Sequence, residues 1–140
     1  DAGVACCLMH NRDNMEYTNF MDDMLADLKE TVQLAKEAGI ADDKIMLDPG
    51  VGFAKSYENN LEAIQKVGRL HELGYPVLLG TSRKSVVGLT LDTTKDERVE
   101  GTLVTTVFGV QQGCAFVRVH DVKENMRAIR MTQAICRKQS

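Results

Sequence analysis

The chain has 140 residues, of which 44% are hydrophobic and 26% are charged, and its formal net charge is -3. This composition excludes an intrinsically disordered chain, and the small negative charge argues against nucleic acid as the main partner. Aromatic residues make up only 5% of the chain, so an all-β fold is not expected.

The cysteines and the apolar runs indicate the cellular compartment of the protein. None of the four cysteines belongs to a Cys-x-x-Cys pair, so we expect reduced thiols in a cytoplasmic protein rather than a zinc site. No apolar run is long enough to cross a membrane, so we expect no membrane partner.

Four short apolar runs predict β-strands. They cover residues 4–9, 45–47, 77–79 and 115–119. A loop and then a helical pattern follow each run, and this repetition is typical of a parallel sheet covered by helices. We therefore predict an α/β fold with four parallel strands in chain order and a helix after each.

Helical periodicity predicts the four helices. They cover residues 14–38, 57–73, 94–113 and 122–135. The third is predicted to begin at a capping box, in which the Thr94 hydroxyl and the Glu97 carboxylate satisfy free backbone amides. Gly101 and Gly109 are unfavourable inside a helix, so we expect them to allow close packing against the sheet or a partner.

Polar side chains follow each predicted strand. They are His10 to Asn14, Asp48 to Lys55, Gly80 to Ser85, and Arg118 with His120 and Asp121. The carboxyl ends of parallel strands meet at one rim, so these groups are predicted to converge there. The rim is more cationic than the chain as a whole, which suits a phosphorylated small substrate.

Asp48-Pro49-Gly50 has two interpretations. The carboxylate at a strand end can accept two parallel N–H bonds from a ring such as a 2-amino-4-oxopyrimidine. The same composition is also common in Asx-turns. The glycines at 50 and 52 do not form a dinucleotide fingerprint, and they favour a mobile loop that presents Phe53.

The remaining rim residues suggest an anion site. Arg118 and His120 alternate on a strand and therefore share one face. Two cations lie between hydroxyls at Ser82-Arg83-Lys84-Ser85, a pattern that is also typical of a solvated surface run. Gly80 before it is expected to let a ligand approach the backbone.

Four motifs in this order resemble the second half of the dihydropteroate synthase family of pterin-binding enzymes. They are Cys7-Leu8-Met9-His10, the stretch from Leu47 to Lys55, the stretch from Leu79 to Ser85, and the stretch from Val117 to Val122. Ala54 stands where the family often has glycine. The resemblance implies a (β/α)8 TIM barrel, of which residues 1–140 would be one incomplete domain with strands five to eight.

The resemblance also implies an activity. The complete enzyme would condense p-aminobenzoate with 6-hydroxymethyl-7,8-dihydropterin diphosphate and release diphosphate, a step of folate biosynthesis that sulfonamides inhibit. A magnesium ligand is expected in the other half of the barrel, with no metal ligand in this chain, and the family forms homodimers. The isolated chain is expected to be inactive and not a stable monomer. A non-catalytic pterin-binding half-barrel, or part of a methyltetrahydrofolate-type methyltransferase, are the alternatives.

Site roles follow from the same resemblance. The catalytic residues would be Lys84, Arg118 and His120, with Arg118 and His120 holding the diphosphate. Asp48 would clamp the pterin, and Met9, Gly80, Ser82 and Arg83 would lie beside it. Phe53, Lys84 and Ser85 would shape the aminobenzoate pocket.

Overall fold

Four short parallel strands run through the computed structural model, which describes residues 3–137. They are β1 (Cys6–Met9), β2 (Ile45–Asp48), β3 (Leu78–Leu79) and β4 (Phe116–Val117). β1 pairs with β2 and β3 pairs with β4, both in parallel. A single parallel bridge between Leu47 and Val77 links the two pairs. The predicted parallel arrangement in chain order is confirmed.

Five α-helices are seen within the described residues, where the sequence predicted four. They are α1 (Phe20–Glu37), α2 (Tyr57–Gln65), α3 (Ser85–Leu91), α4 (Val99–Gln111) and α5 (Val122–Arg137). α3 was missed because Val86 and Val87 are adjacent and both buried. A seven-residue helix of this kind shows no amphipathic periodicity. No helix among the described residues is long and apolar enough to cross a membrane.

The first predicted helix starts six residues too early. Asn19 is the N-cap of α1, and its side chain accepts the backbone N–H of Asp22 at 3.1 Å. An Asn side chain that accepts a free backbone amide sets the N-terminal end of the helix at that point. The apolar residues before Asn19 do not extend the helix. Tyr17 therefore lies in the preceding loop, although it packs against the core.

The second predicted helix is shorter than expected. A capping box of Ser56 and Asn59 starts α2, but the α-helix ends at Gln65 and a 3-10 helix (Val67–Leu73) follows. The backbone N–H of Gly68 donates to the Gln112 side chain at 2.9 Å. At this position a hydrogen bond to Gln112, at the end of α4, takes the place of an α-helical backbone hydrogen bond.

The capping box predicted at Thr94 is wrong. The Thr94 side chain makes no cap hydrogen bond, Lys95–Glu97 forms a 3-10 turn, and α4 begins only at Val99. The Arg98 guanidinium turns back instead and donates to the carbonyl oxygens of Thr93 and Arg83. Long-range anchoring by Arg98 thus decides where this helix starts.

The two glycines of α4 pack closely against the chain itself. A Cβ at Gly109 would lie 2.9 Å from Leu79 of β3, so this position faces the sheet as predicted. A Cβ at Gly101 would overlap Val87 of α3. Side chains of this chain therefore fill the space beside both glycines, so contact with a partner is not needed to explain them.

The helices cover one face of the strands. Ile45, Leu47 and Leu79 are buried on this face against α1 and its neighbours. Side chains alternate along a strand, and the opposite face carries Cys7, which is exposed, and Phe116, which is 55% exposed. Helices thus cover the outer face of the strands, while the inner face is exposed.

Candidate functional site

The carboxyl ends of β2, β3 and β4 bring the predicted polar residues together. A cavity of about 200 Å³ is lined by Gly80, Ser82, Lys84, Arg118, Val119 and His120. Asp48 lies close enough for the charges of Lys84 and Arg118 to act on its carboxyl group. We call Asp48 together with these lining residues the rim site.

Asp48 is 3% exposed and bonded on one side. Its Oδ1 accepts the backbone N–H of Gly50 at 2.8 Å, so the Asx-turn interpretation is confirmed. Within the described residues, its other oxygen, Oδ2, has no hydrogen-bond partner. Burial raises the pKa of Asp48, while the Gly50 N–H and the nearby Lys84 and Arg118 oppose this rise. The turn therefore fixes the carboxyl group and leaves Oδ2 to accept a ligand's N–H.

Lys84 connects the rim site to the loop after β2. Its ammonium group donates to the carbonyl oxygen of Val51 and lies 5.1 Å from the centre of the Phe53 ring. Burial lowers the pKa of Lys84, and the negative charge of Asp48 partly opposes that effect. Phe53 is 38% exposed and is presented to solvent by the loop, as predicted. The cation and the ring thus lie side by side at the edge of the rim site.

His120 is oriented by Ser82. The Ser82 hydroxyl oxygen accepts the backbone N–H of His120 at 3.1 Å and lies 2.8 Å from its Nδ1. The hydroxyl can donate to Nδ1 of a neutral imidazole, which leaves Nε2–H as the outward donor. This arrangement presents a hydrogen-bond donor beside Arg118.

Gly80 lies in the cavity lining and packs against the side chain of Arg118. A Cβ at this position would lie 3.1 Å from Nη2 of Arg118 and 3.4 Å from its Nε. The space above the Gly80 backbone is therefore occupied by the chain's own guanidinium group. Gly80 thus gives room to Arg118 and also lines the cavity, and its predicted place beside the pterin stays a prediction.

Three predicted site residues are placed less centrally. Arg83 adopts a left-handed backbone with φ 58° and its guanidinium pairs with Asp121 at 2.9 Å, so it does not line the cavity. Ser85 is the exposed first residue of α3 and also lies outside the cavity. Met9 is half-buried and packs near the Gly50 turn.

A buried polar network at the end of β1 was missed by the sequence interpretation. His10 is 1% exposed; its Nε2 lies 2.8 Å from Asp27 and its Nδ1 lies 2.9 Å from the Lys55 ammonium. Arg12 pairs with both oxygens of Asp27. We call His10, Arg12, Asp27 and Lys55 the His10 network. His10 and Lys55 follow strands, but Asp27 lies in α1, where most carboxylates are solvated, so the sequence carried little signal for it.

The His10 network has a perturbed lysine. Burial lowers the pKa of Lys55 from 10.5 to about 8, because removal from water disfavours its charged form. Burial also lowers the pKa of His10, although the hydrogen bond to Asp27 opposes this effect. The described residues contain no group of three or more His, Cys, Asp or Glu side chains that could hold a metal ion.

Comparisons with known sequences identify similar proteins over nearly the whole chain. The family model described as pterin binding enzyme matches residues 1–120. A dihydropteroate synthase of Clostridium beijerinckii is 60% identical over 136 residues, which cover 96% of this chain and 51% of that protein. One of Bacillus subtilis is 49% identical and is covered over 47% of its length. The chain spans about half the length of the curated relatives it matches.

A solved structure shows the same arrangement. The crystal structure of a dihydropteroate synthase from Clostridium difficile in the presence of pteroic acid has a TM-score of 0.93 and 47% identity. It covers 97% of this chain, which matches 52% of that one. The agreement confirms the predicted barrel fold class, of which this chain forms about half.

Proposed function

From the premise that this chain belongs to the pterin-binding enzyme family, we propose that it supplies one half of the active site of a dihydropteroate synthase. The observation that carries the proposal is the convergence of Asp48, Lys84, Arg118 and His120 at one strand rim. The identity to proteins named dihydropteroate synthase supports this choice over the methyltransferase alternative.

The pterin would be held at Asp48. Its fixed carboxyl group has Oδ2 available, and a pterin offers an amino group and a ring N–H side by side. Lys84 lies near enough to Asp48 for the two charges to attract each other, and it would contact the pterin carbonyl. The site therefore binds the ring by its hydrogen-bonding edge.

The diphosphate would be held at Arg118 and His120. Their donors face the same cavity, and a guanidinium and an imidazole N–H both suit phosphate oxygens. Stabilising the leaving diphosphate favours cleavage of the C–O bond at the pterin methylene, with the electron pair leaving on oxygen. The p-aminobenzoate nitrogen then forms the new C–N bond and loses a proton.

The p-aminobenzoate would lie on the side of Lys84 and Phe53. The ring of Phe53 is exposed beside the Lys84 ammonium, so an aromatic carboxylate can stack there and meet a cation. Arg83, engaged with Asp121, would support the loop after β3 rather than contact the substrate. Magnesium would be bound by the other half of the barrel, and no residue of this chain is assigned to it. A cytoplasmic location remains a prediction from the cysteine pattern.

We also propose a homodimer formed through an apolar groove on the helical face. Leu61, Val104 and Phe108 from α2 and α4 are exposed at 41%, 57% and 43% and border the groove. Exposed apolar side chains that line one groove are typical of an interaction surface.

The synthase proposal is tested by assaying diphosphate release by the complete protein supplied with both substrates and magnesium. We expect turnover that requires both substrates, and a loss of at least tenfold in Lys84→Met, the scale of a lost charged hydrogen bond. Lys95→Met is the matched control, because Lys95 is exposed in the turn before α4. Binding of the pterin without turnover would instead support the non-catalytic alternative.

A further inference from the structure

The loop from Pro49 to Lys55 needs external support. Gly50, Gly52 and Ala54 adopt positive φ angles of 69°, 91° and 52°, so the loop alternates in and out of the left-handed region. Such backbone is costly for Ala54, which has a Cβ. A loop of this kind keeps one conformation only when surrounding groups hold it.

Two side chains hold the carbonyl groups around Phe53. The Lys55 ammonium donates to the carbonyl oxygen of Phe53 at 2.9 Å. The hydroxyl of Tyr17 donates to the carbonyl oxygen of Ala54 at 2.9 Å. The two bonds hold the successive peptide groups on either side of the Ala54 Cα, directly after Phe53, and so fix the backbone that follows the Phe53 Cα.

Lys55 is itself fixed by the His10 network. The second hydrogen bond of its ammonium group goes to Nδ1 of His10, whose Nε2–H donates to Asp27. These two bonds require a neutral imidazole with its proton on Nε2. Arg12 holds Asp27 in turn, so the line of contacts runs from α1 through His10 to the Phe53 carbonyl.

The contacts of Lys55 are unusual for a buried lysine. Its side chain is 8% exposed, yet both hydrogen-bond acceptors are uncharged, and neither Asp27 nor Asp48 bonds to it. A buried charge without a bonded counter-charge costs stability that an apolar side chain would avoid. A role in holding the loop accounts for that cost.

We propose that Lys55 and His10 are positioning residues that hold Phe53 in place on the p-aminobenzoate side of the rim site. This inference rests on the proposed function for the identity of the substrate, but not for the restraint on the loop. Neither residue touches the reacting atoms. Both act through the backbone that carries Phe53.

The kinetics of Lys55→Met in the complete protein test whether the loop acts on the p-aminobenzoate side of the rim site. Methionine keeps an unbranched side chain that is one atom shorter, and it removes both hydrogen bonds. We expect the KM for p-aminobenzoate to rise about tenfold, the scale of one lost hydrogen bond from a charged group. The rise in the KM for the pterin diphosphate should be at least threefold smaller than the rise in the KM for p-aminobenzoate. Lys66→Met is the matched control, because Lys66 is exposed and, among residues 3–137, forms its ion pair only with Glu62.

A second variant guards against failure of the first to fold. Tyr17→Phe removes only the hydroxyl bonded to Ala54, and we expect the same selective rise in KM on a smaller scale. Tyr57→Phe is its control, since the Tyr57 hydroxyl bonds to Thr90 away from the loop. Equal changes in both KM values for both test variants would overturn the assignment to the p-aminobenzoate side.

Hydrogen exchange separates this inference from the proposed function. Amides of residues 50–55 in the substrate-free protein should exchange faster in Lys55→Met and Tyr17→Phe than in their controls. Unchanged exchange in both variants would overturn the restraint, whatever the activity. Faster exchange in a protein without synthase activity would uphold the restraint and refute the proposed function alone.

Discussion

Replacement of Gly50 by alanine is the sharpest test of how the rim site is built. Gly50 has φ 69°, and a Cβ there would overlap the carbonyl oxygen of His10 and lie 3.0 Å from its carbonyl carbon. That carbonyl cannot easily move, because the His10 N–H donates to the carbonyl oxygen of Asp48 at 2.9 Å. The clash is therefore between two backbone segments rather than with a flexible side chain.

The expected cost has two parts. A left-handed backbone costs a non-glycine residue about 1–2 kcal/mol, and overpacking of a buried site adds about 1–3 kcal/mol. Gly50→Ala should therefore destabilise the protein by about 2–5 kcal/mol. Gly39→Ala is the matched control, because Gly39 has φ 93° with nothing within 4 Å of its added Cβ, and only the first part applies.

The measurement is the free energy of unfolding of the complete protein by urea, with both variants and the wild type. The turn that fixes the Asp48 carboxyl group should also be disturbed, so pterin binding should weaken in Gly50→Ala and not in Gly39→Ala. If the two variants lose the same stability, the close approach of the loop to β1 is refuted.

Three further predictions concern charge and association. Arg118→Ala should weaken binding of the pterin diphosphate by roughly 10-fold to 100-fold in calorimetry, and binding of the free pterin much less; equal losses would contradict the diphosphate assignment. The pKa of Lys55 is lowered to about 8 in the folded protein, so between pH 8 and 10.5 the unfolded chain binds more protons and folding gains stability as pH rises. The stability of the wild type relative to Lys55→Met should therefore increase by at most about 1.4 kcal/mol per pH unit in that window, and a constant difference from pH 7.5 to 9.5 in urea titrations would refute it. The 140-residue chain alone should associate in light scattering, because its inner face and strand edges are open; a monodisperse 15.5 kDa species would contradict this.

Local pattern predicted the elements whose residues alternate or repeat. The helix α1 was predicted from helical spacing, and its buried residues Met21, Met24, Leu28 and Val32 repeat at that spacing. The strands were found because Leu47 and Leu79 end apolar runs that are followed by polar rim residues. These signals lie within a few residues of one another, so no tertiary information is needed to read them.

Elements decided by distant contacts could not be predicted in this way. The start of α4 depends on Arg98 reaching back to Arg83, and the end of α2 depends on Gln112. In the site, the role of Asp27 appears only when α1 packs beside β1, 17 positions from His10 in sequence. A single sequence shows each of these residues but not its partner.

The packing of Arg118 on Gly80 has a consequence for the evolutionary history of the site. A side chain at position 80 would push the guanidinium group away from its seat, since a Cβ there already lies 3.1 Å from Nη2. A lineage that gains alanine at 80 therefore displaces the guanidinium at 118 by a few tenths of an ångström, and one that loses the arginine no longer needs the glycine. Substitutions at these two positions are expected to be inherited together, although only one of the residues offers a charge to the ligand.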